Sequence, residues 1–142
     1  MELIKLLIAA IALAAVIGIG VGVMLRAYIG AGSISVLFPE PIPAPAEPPA
    51  DLESAAMEYF EQGLEAYRSG NYRQALDRLN LAIELASNFA EAYHNRGMTF
   101  ANLRQDNEAA RNLVIASELY AQQGKPEAIA LVKQNLEKLK SR

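Results

Sequence analysis

The hydrophobic positions of this chain change rhythm twice. Between Lys5 and Arg26 lie 20 residues without a charge, Leu6 to Leu25. As a helix at ~1.5 Å per residue they reach about 30 Å, the thickness of a bilayer's hydrocarbon core, and a helix satisfies its own backbone there. The pattern predicts a transmembrane helix over residues 1–28. A cleaved secretory signal is the rival reading. Its apolar core usually runs only about 7–15 residues, and here Arg26 interrupts the approach to the small residues Gly30, Ala31 and Gly32. Ala10, Ala14, Gly18 and Gly22 recur every fourth residue. On a helix they form one ridge of small side chains at which a second helix, from another copy or another protein, approaches closely.

The second rhythm is set by proline. Six of the seven prolines fall within Pro39–Pro49. Proline supplies no amide donor and biases its predecessor away from helix, so residues 29–50 read as an extended Pro-rich linker. Eleven such residues span about 34 Å at ~3.1 Å each, which suits a semi-rigid spacer; a ligand for a proline-reading module is the other reading. Ile34, Val36, Leu37 and Phe38, just upstream, are apolar and are expected against the membrane interface or a partner.

From Asp51 onward the apolar spacing is helical. Acidic and basic residues are mixed throughout 51–142, as on a solvated helical surface. Asp51 can cap a first helix. Asn71 with Gln74, and Asn88 with Glu91, have capping-box spacing, and Pro126 suits a first helical turn. The expected helices run over 52–69, 72–86, 89–103, 106–122 and 126–140, making the domain all-α.

Two stretches superpose at an offset of 34 residues. Tyr59 maps to Tyr93, Gly63 to Gly97, Ala75 to Ala109, Leu79 to Leu113, Ala82 to Ala116, Glu84 to Glu118 and Leu85 to Leu119. The glycines allow close approach of two helices, the alanines let the second helix pack tightly, and Tyr and Leu fill the rest. With two helices per 34 residues, 56–89 and 90–123 resemble two tetratricopeptide repeats. Ser87 and Ala121 stand where that family usually closes a repeat with proline, and Tyr72 becomes Asp106. Lys125–Lys140, with Ile129, Val132, Leu136 and Leu139 on one face, reads as a C-terminal capping helix, so that 51–142 is an α-solenoid fragment.

The resemblance implies a protein-binding concave face built from the first helix of each pair. Its usual contact positions fall on Phe60, Leu64, Tyr67 and Arg68, and on His94, Asn95, Met98 and Asn102. The family's clamp for terminal carboxylates needs Lys and Asn where Phe60 and Leu64 stand, so it is not expected. The apolar members suit an amphipathic helix or apolar peptide; packing against the cap accounts for them equally well. The closing run SELYAQQGKPEAIALVKQNLEKL is similar to cyanobacterial tetratricopeptide proteins, which implies a thylakoid or bacterial inner membrane and, among anchored members, assembly factors for photosynthetic complexes.

Composition narrows the chemistry. There is no cysteine and a single histidine, His94, so neither a thiol site nor a nucleophile–base set can be assembled, and one Glu-x-x-His step (Glu91, His94) falls short of a di-iron site. No metal or other cofactor is expected. Net charge is −3 without a basic stretch, which disfavours nucleic acid. The chain therefore reads as a non-enzymatic, membrane-tethered adaptor or assembly factor. The alternative is a permanent structural subunit of a membrane complex, held by its span. Lys5 and Arg26 leave the side of the helical domain open.

Overall fold

The computed structural model describes residues 36–48 and 52–142. Among them are five helices: α1 (Ser54–Arg68), α2 (Tyr72–Leu85), α3 (Ala90–Asn102), α4 (Asp106–Gln122) and α5 (Pro126–Lys140). All begin and end within two residues of the positions expected from hydrophobic spacing. α1 buries Ala56, Phe60, Gly63, Leu64 and Tyr67, and α2 buries Ala75, Leu79, Ala82 and Ile83. Steps of three and four residues put these on one face.

Three of the four connections close alike. Gly70 and Asn71 donate their amides to Tyr67 and Ala66 carbonyls, Arg104 and Gln105 to Ala101 and Phe100, and Gly124 and Lys125 to Ala121 and Tyr120. In each turn the middle residue has positive φ: 73° at Gly70, 63° at Arg104 and 66° at Gly124. The left-handed residue reverses the chain and lets orphan carbonyls at the helix end find donors. Asn71 makes no side-chain cap, because its ψ of 62° is not the extended geometry capping requires. The N-cap of α3 is Phe89 rather than Asn88. Pro126 stands in the first turn of α5, where its missing amide costs nothing.

α3 is central, touching each of the other four helices. Close approach depends on two glycines. A methyl at Gly63 would sit 3.0 Å from Leu79 Cγ, and one at Gly97 would sit 3.0 Å from Leu113 Cγ and 3.2 Å from the Ala109 carbonyl. The 34-residue offset is thus repeated in space, glycine against leucine.

Two expectations need correction. Among the described residues no helix is long and apolar enough to cross a membrane. The longest, α4, has 17 residues and carries Asp106, Glu108, Arg111 and Glu118. The described residues are all-α, with five helices none of which is a transmembrane helix. The expected span over 1–28, with Ala10, Ala14, Gly18 and Gly22, lies outside the described residues. Residues 36–48 of the Pro-rich stretch are also not a spacer standing clear of the helices. Phe38 is only 4% exposed and belongs to the core formed by Tyr67, Met98, Ala101 and Leu139, with Leu37 and Ile42 against it. Ala44 packs on the cluster of Phe60, Leu64 and Phe89.

Candidate functional site: a backbone-reading face on α3

Because neighbours surround α3, its polar side chains are buried as well: Glu91, His94, Asn95, Thr99 and Asn102. Buried polar atoms must find partners, and each does so in a distinct direction. The Asn102 amide pairs with one residue of the Pro-rich segment. Its Oδ1 accepts the Phe38 N–H at 3.0 Å, and its Nδ2 donates to the Phe38 carbonyl at 2.8 Å. Nδ2 also donates to the Tyr67 hydroxyl at 2.9 Å, and that hydroxyl donates to the same Phe38 carbonyl. Burial holds the Tyr67 pKa well above its ordinary value, with Tyr72 adding to the rise and the Asn102 bond opposing it. The hydroxyl therefore remains a proton donor.

Seven residues earlier Asn95 repeats the arrangement. Its Oδ1 accepts the Ile42 N–H at 2.8 Å and its Nδ2 donates to the Ile42 carbonyl at 2.9 Å, as well as to the Glu91 carbonyl at 3.0 Å. Seven residues are close to two helical turns, so Asn95 and Asn102 share a face about 11 Å apart. Phe38 and Ile42 are four residues apart, or about 13 Å in an extended chain. The segment thus runs antiparallel to α3, with main-chain groups clamped at two points. The Lys138 ammonium of α5 lies 5.2 Å from the centre of the Phe38 ring, a cation–π contact that closes the far wall.

The remaining α3 contacts fix the helix that carries the asparagines. His94 is fully buried. Asn135 Nδ2 donates to its Nε2 at 2.8 Å and to Met98 Sδ at 3.3 Å. That leaves the ring proton on Nδ1, 3.4 Å from the Tyr120 hydroxyl. Burial lowers the His94 pKa from 6.5 to about 4, so the imidazole is neutral. On the opposite side Arg96 donates to Asn112 Oδ1 at 2.7 Å and Asn80 Oδ1 at 2.9 Å, over the Tyr93 ring. Lys125 and Glu91 pair at 2.8 Å and tie the α4–α5 turn to the start of α3.

Of the eight residues expected on a binding face, Tyr67, Asn95 and Asn102 make the hydrogen bonds to the segment. Phe60 and Leu64 lie in the cluster on which Ala44 of the segment packs, with the Phe60 ring 4.6 Å from that of Phe89. Met98 belongs to the core that takes Phe38, His94 is interior, and Arg68 is exposed. Among the described residues no three of His, Asp and Glu converge to hold a metal ion. Phe38 and Ile42, the residues held, fall within the expected linker, Phe38 in the apolar run expected against a membrane interface or a partner; it packs instead on the chain's own helices. Compared with protein-family models, curated proteins and solved structures, the chain finds no match.

Proposed function

We propose that this chain is a protein-binding adaptor or assembly factor, a tetratricopeptide-like helical module that engages its partner through the face of α1 and α3 carrying Tyr67, Asn95 and Asn102. One observation carries the reading: five hydrogen bonds join these side chains to main-chain atoms of two residues, Phe38 and Ile42, two donated by the main chain and three by the side chains. Side chains so arranged recognise an extended peptide by its backbone, much as a sheet edge recognises an added strand. The 34-residue repeat, and the glycine–leucine contacts that follow it, support the resemblance to tetratricopeptide repeats. A place at a membrane rests on the uncharged run 6–25, a property of the sequence.

The test is co-purification of partners from native membranes with the full chain and with the Asn95→Ala/Asn102→Ala variant, both checked for helix content by circular dichroism. The adaptor reading expects a partner recovered by the first and lost from the second. Partners retained equally by a folded double variant contradict it, and recovery of the chain only in the soluble fraction contradicts the membrane placement.

A further inference from the structure

The Pro-rich segment has a register that a mere spacer does not need. Prolines stand at 39, 41, 43 and 45, and the residues between them keep their amides. In an extended chain, N–H and C=O of one residue point to the same side, and the side alternates with each residue. Phe38 and Ile42 present theirs toward α3, where Asn102 and Asn95 take them. The odd positions, whose amides would face away, are the ones where proline costs no hydrogen bond. Their restricted φ also lowers the entropy lost when the segment is held straight. Phe38 adds an anchor, its ring in the core beneath Lys138.

Resting on the backbone-reading face described above, we propose that residues 36–44 are a built-in ligand, and that the face takes in their place an extended segment of a partner protein with the same register. That segment has an aromatic residue followed by proline, a free amide at the aromatic position and again four residues on, and prolines confined to alternate positions. The partner competes with a tethered occupant whose effective concentration is in the millimolar range, so the native chain binds it more weakly than the vacant face would.

The probe is a fluorescein-labelled peptide with the sequence of residues 36–46, titrated into the full chain and into an opened chain carrying Phe38→Ala and Ile42→Pro, which removes the anchor and the amide offered to Asn95. The peptide is expected to bind the opened chain at least about tenfold more tightly than the native chain. A peptide carrying the same Ile42→Pro change is expected to lose most of that affinity. Equal affinity for the native and opened chains overturns the built-in ligand while leaving the face intact. So does an absence of binding by an opened chain that keeps its helical circular dichroism. Binding that survives Asn95→Ala and Asn102→Ala in the opened chain overturns the face itself. If the opened chain loses helix, the native chain decides: at saturating peptide the Phe38 amide must become exchangeable, and continued protection overturns the proposal.

Discussion

The side-chain amide of Asn102 forms a two-bond ring with the backbone of Phe38, 64 residues earlier in the chain. Both groups are buried, so neither has water as a substitute. Asn102→Ala would leave the Phe38 N–H without its acceptor, at about 1–3 kcal/mol. The segment can avoid that cost by detaching. The expected outcome is therefore a modest loss of stability together with new protease cleavage within residues 36–48. Asn102→Asp is expected to be worse, because a carboxylate keeps the acceptor but sets a negative charge against the Phe38 carbonyl. Limited proteolysis with denaturant melts separates the two effects.

His94 makes the domain acid-sensitive. Its folded pKa, about 4, lies below the ordinary 6.5 because burial disfavours the imidazolium. Its contribution is fully present above pH 6.5 and is lost as pH falls toward 4, because the unfolded chain takes up the proton first. The slope is about 1.4 kcal/mol per pH unit, amounting to about 3 kcal/mol over the window. Urea melts at pH 7.5 and 4.5 are expected to differ less for His94→Gln than for the native chain.

Gly97 and Gly63 occupy corresponding places but should tolerate alanine differently. At Gly63 the new methyl meets Leu79 side-chain atoms, which can shift; at Gly97 it also meets the Ala109 carbonyl and Asn112 Cβ, both at 3.2 Å. Alanine regains up to ~1 kcal/mol of helix propensity at either site. Gly63→Ala is expected to be near neutral, and Gly97→Ala to lose about 1–3 kcal/mol to overpacking. Thermal melts of the two variants check the order.

Arg104 holds the left-handed position that Gly70 and Gly124 fill in the other two turns. A non-glycine residue there costs about 1–2 kcal/mol, and glycine returns part of the gain as added freedom in the unfolded chain. Arg104→Gly is expected to stabilise the domain by up to ~1 kcal/mol, measured as a raised urea midpoint with an unchanged slope.

The five helices are legible in the sequence because their apolar residues keep a helical step and glycine or proline punctuates two of the short turns. The turn at Arg104 has no such mark, but the 34-residue offset locates it opposite Gly70. The site is legible only in part. Tyr67, Asn95 and Asn102 were accessible through the resemblance. Phe60, Leu64 and Met98 are buried in the clusters that also take Ala44 and Phe38 of the segment, whereas His94 is turned to Asn135 and Tyr120. The occupant is hidden in the sequence because proline signals the donor it lacks. The donors left at Phe38 and Ile42, and the period of two that aims them the same way, are the signal that could have found it. Asparagines seven residues apart on one helix are the other half of that signal. Neither means much alone, since the pairing spans more than 50 residues.

The central claim is that Asn95 and Asn102 hold residues 36–44 by their backbone, and amide hydrogen exchange of the full chain tests it most directly. The Phe38 and Ile42 amides are expected to be protected, and to lose protection in the Asn95→Ala/Asn102→Ala variant while the amides of α2 and α4 keep theirs. Exchange of Phe38 and Ile42 at the rate of a free chain in the native protein would contradict the account.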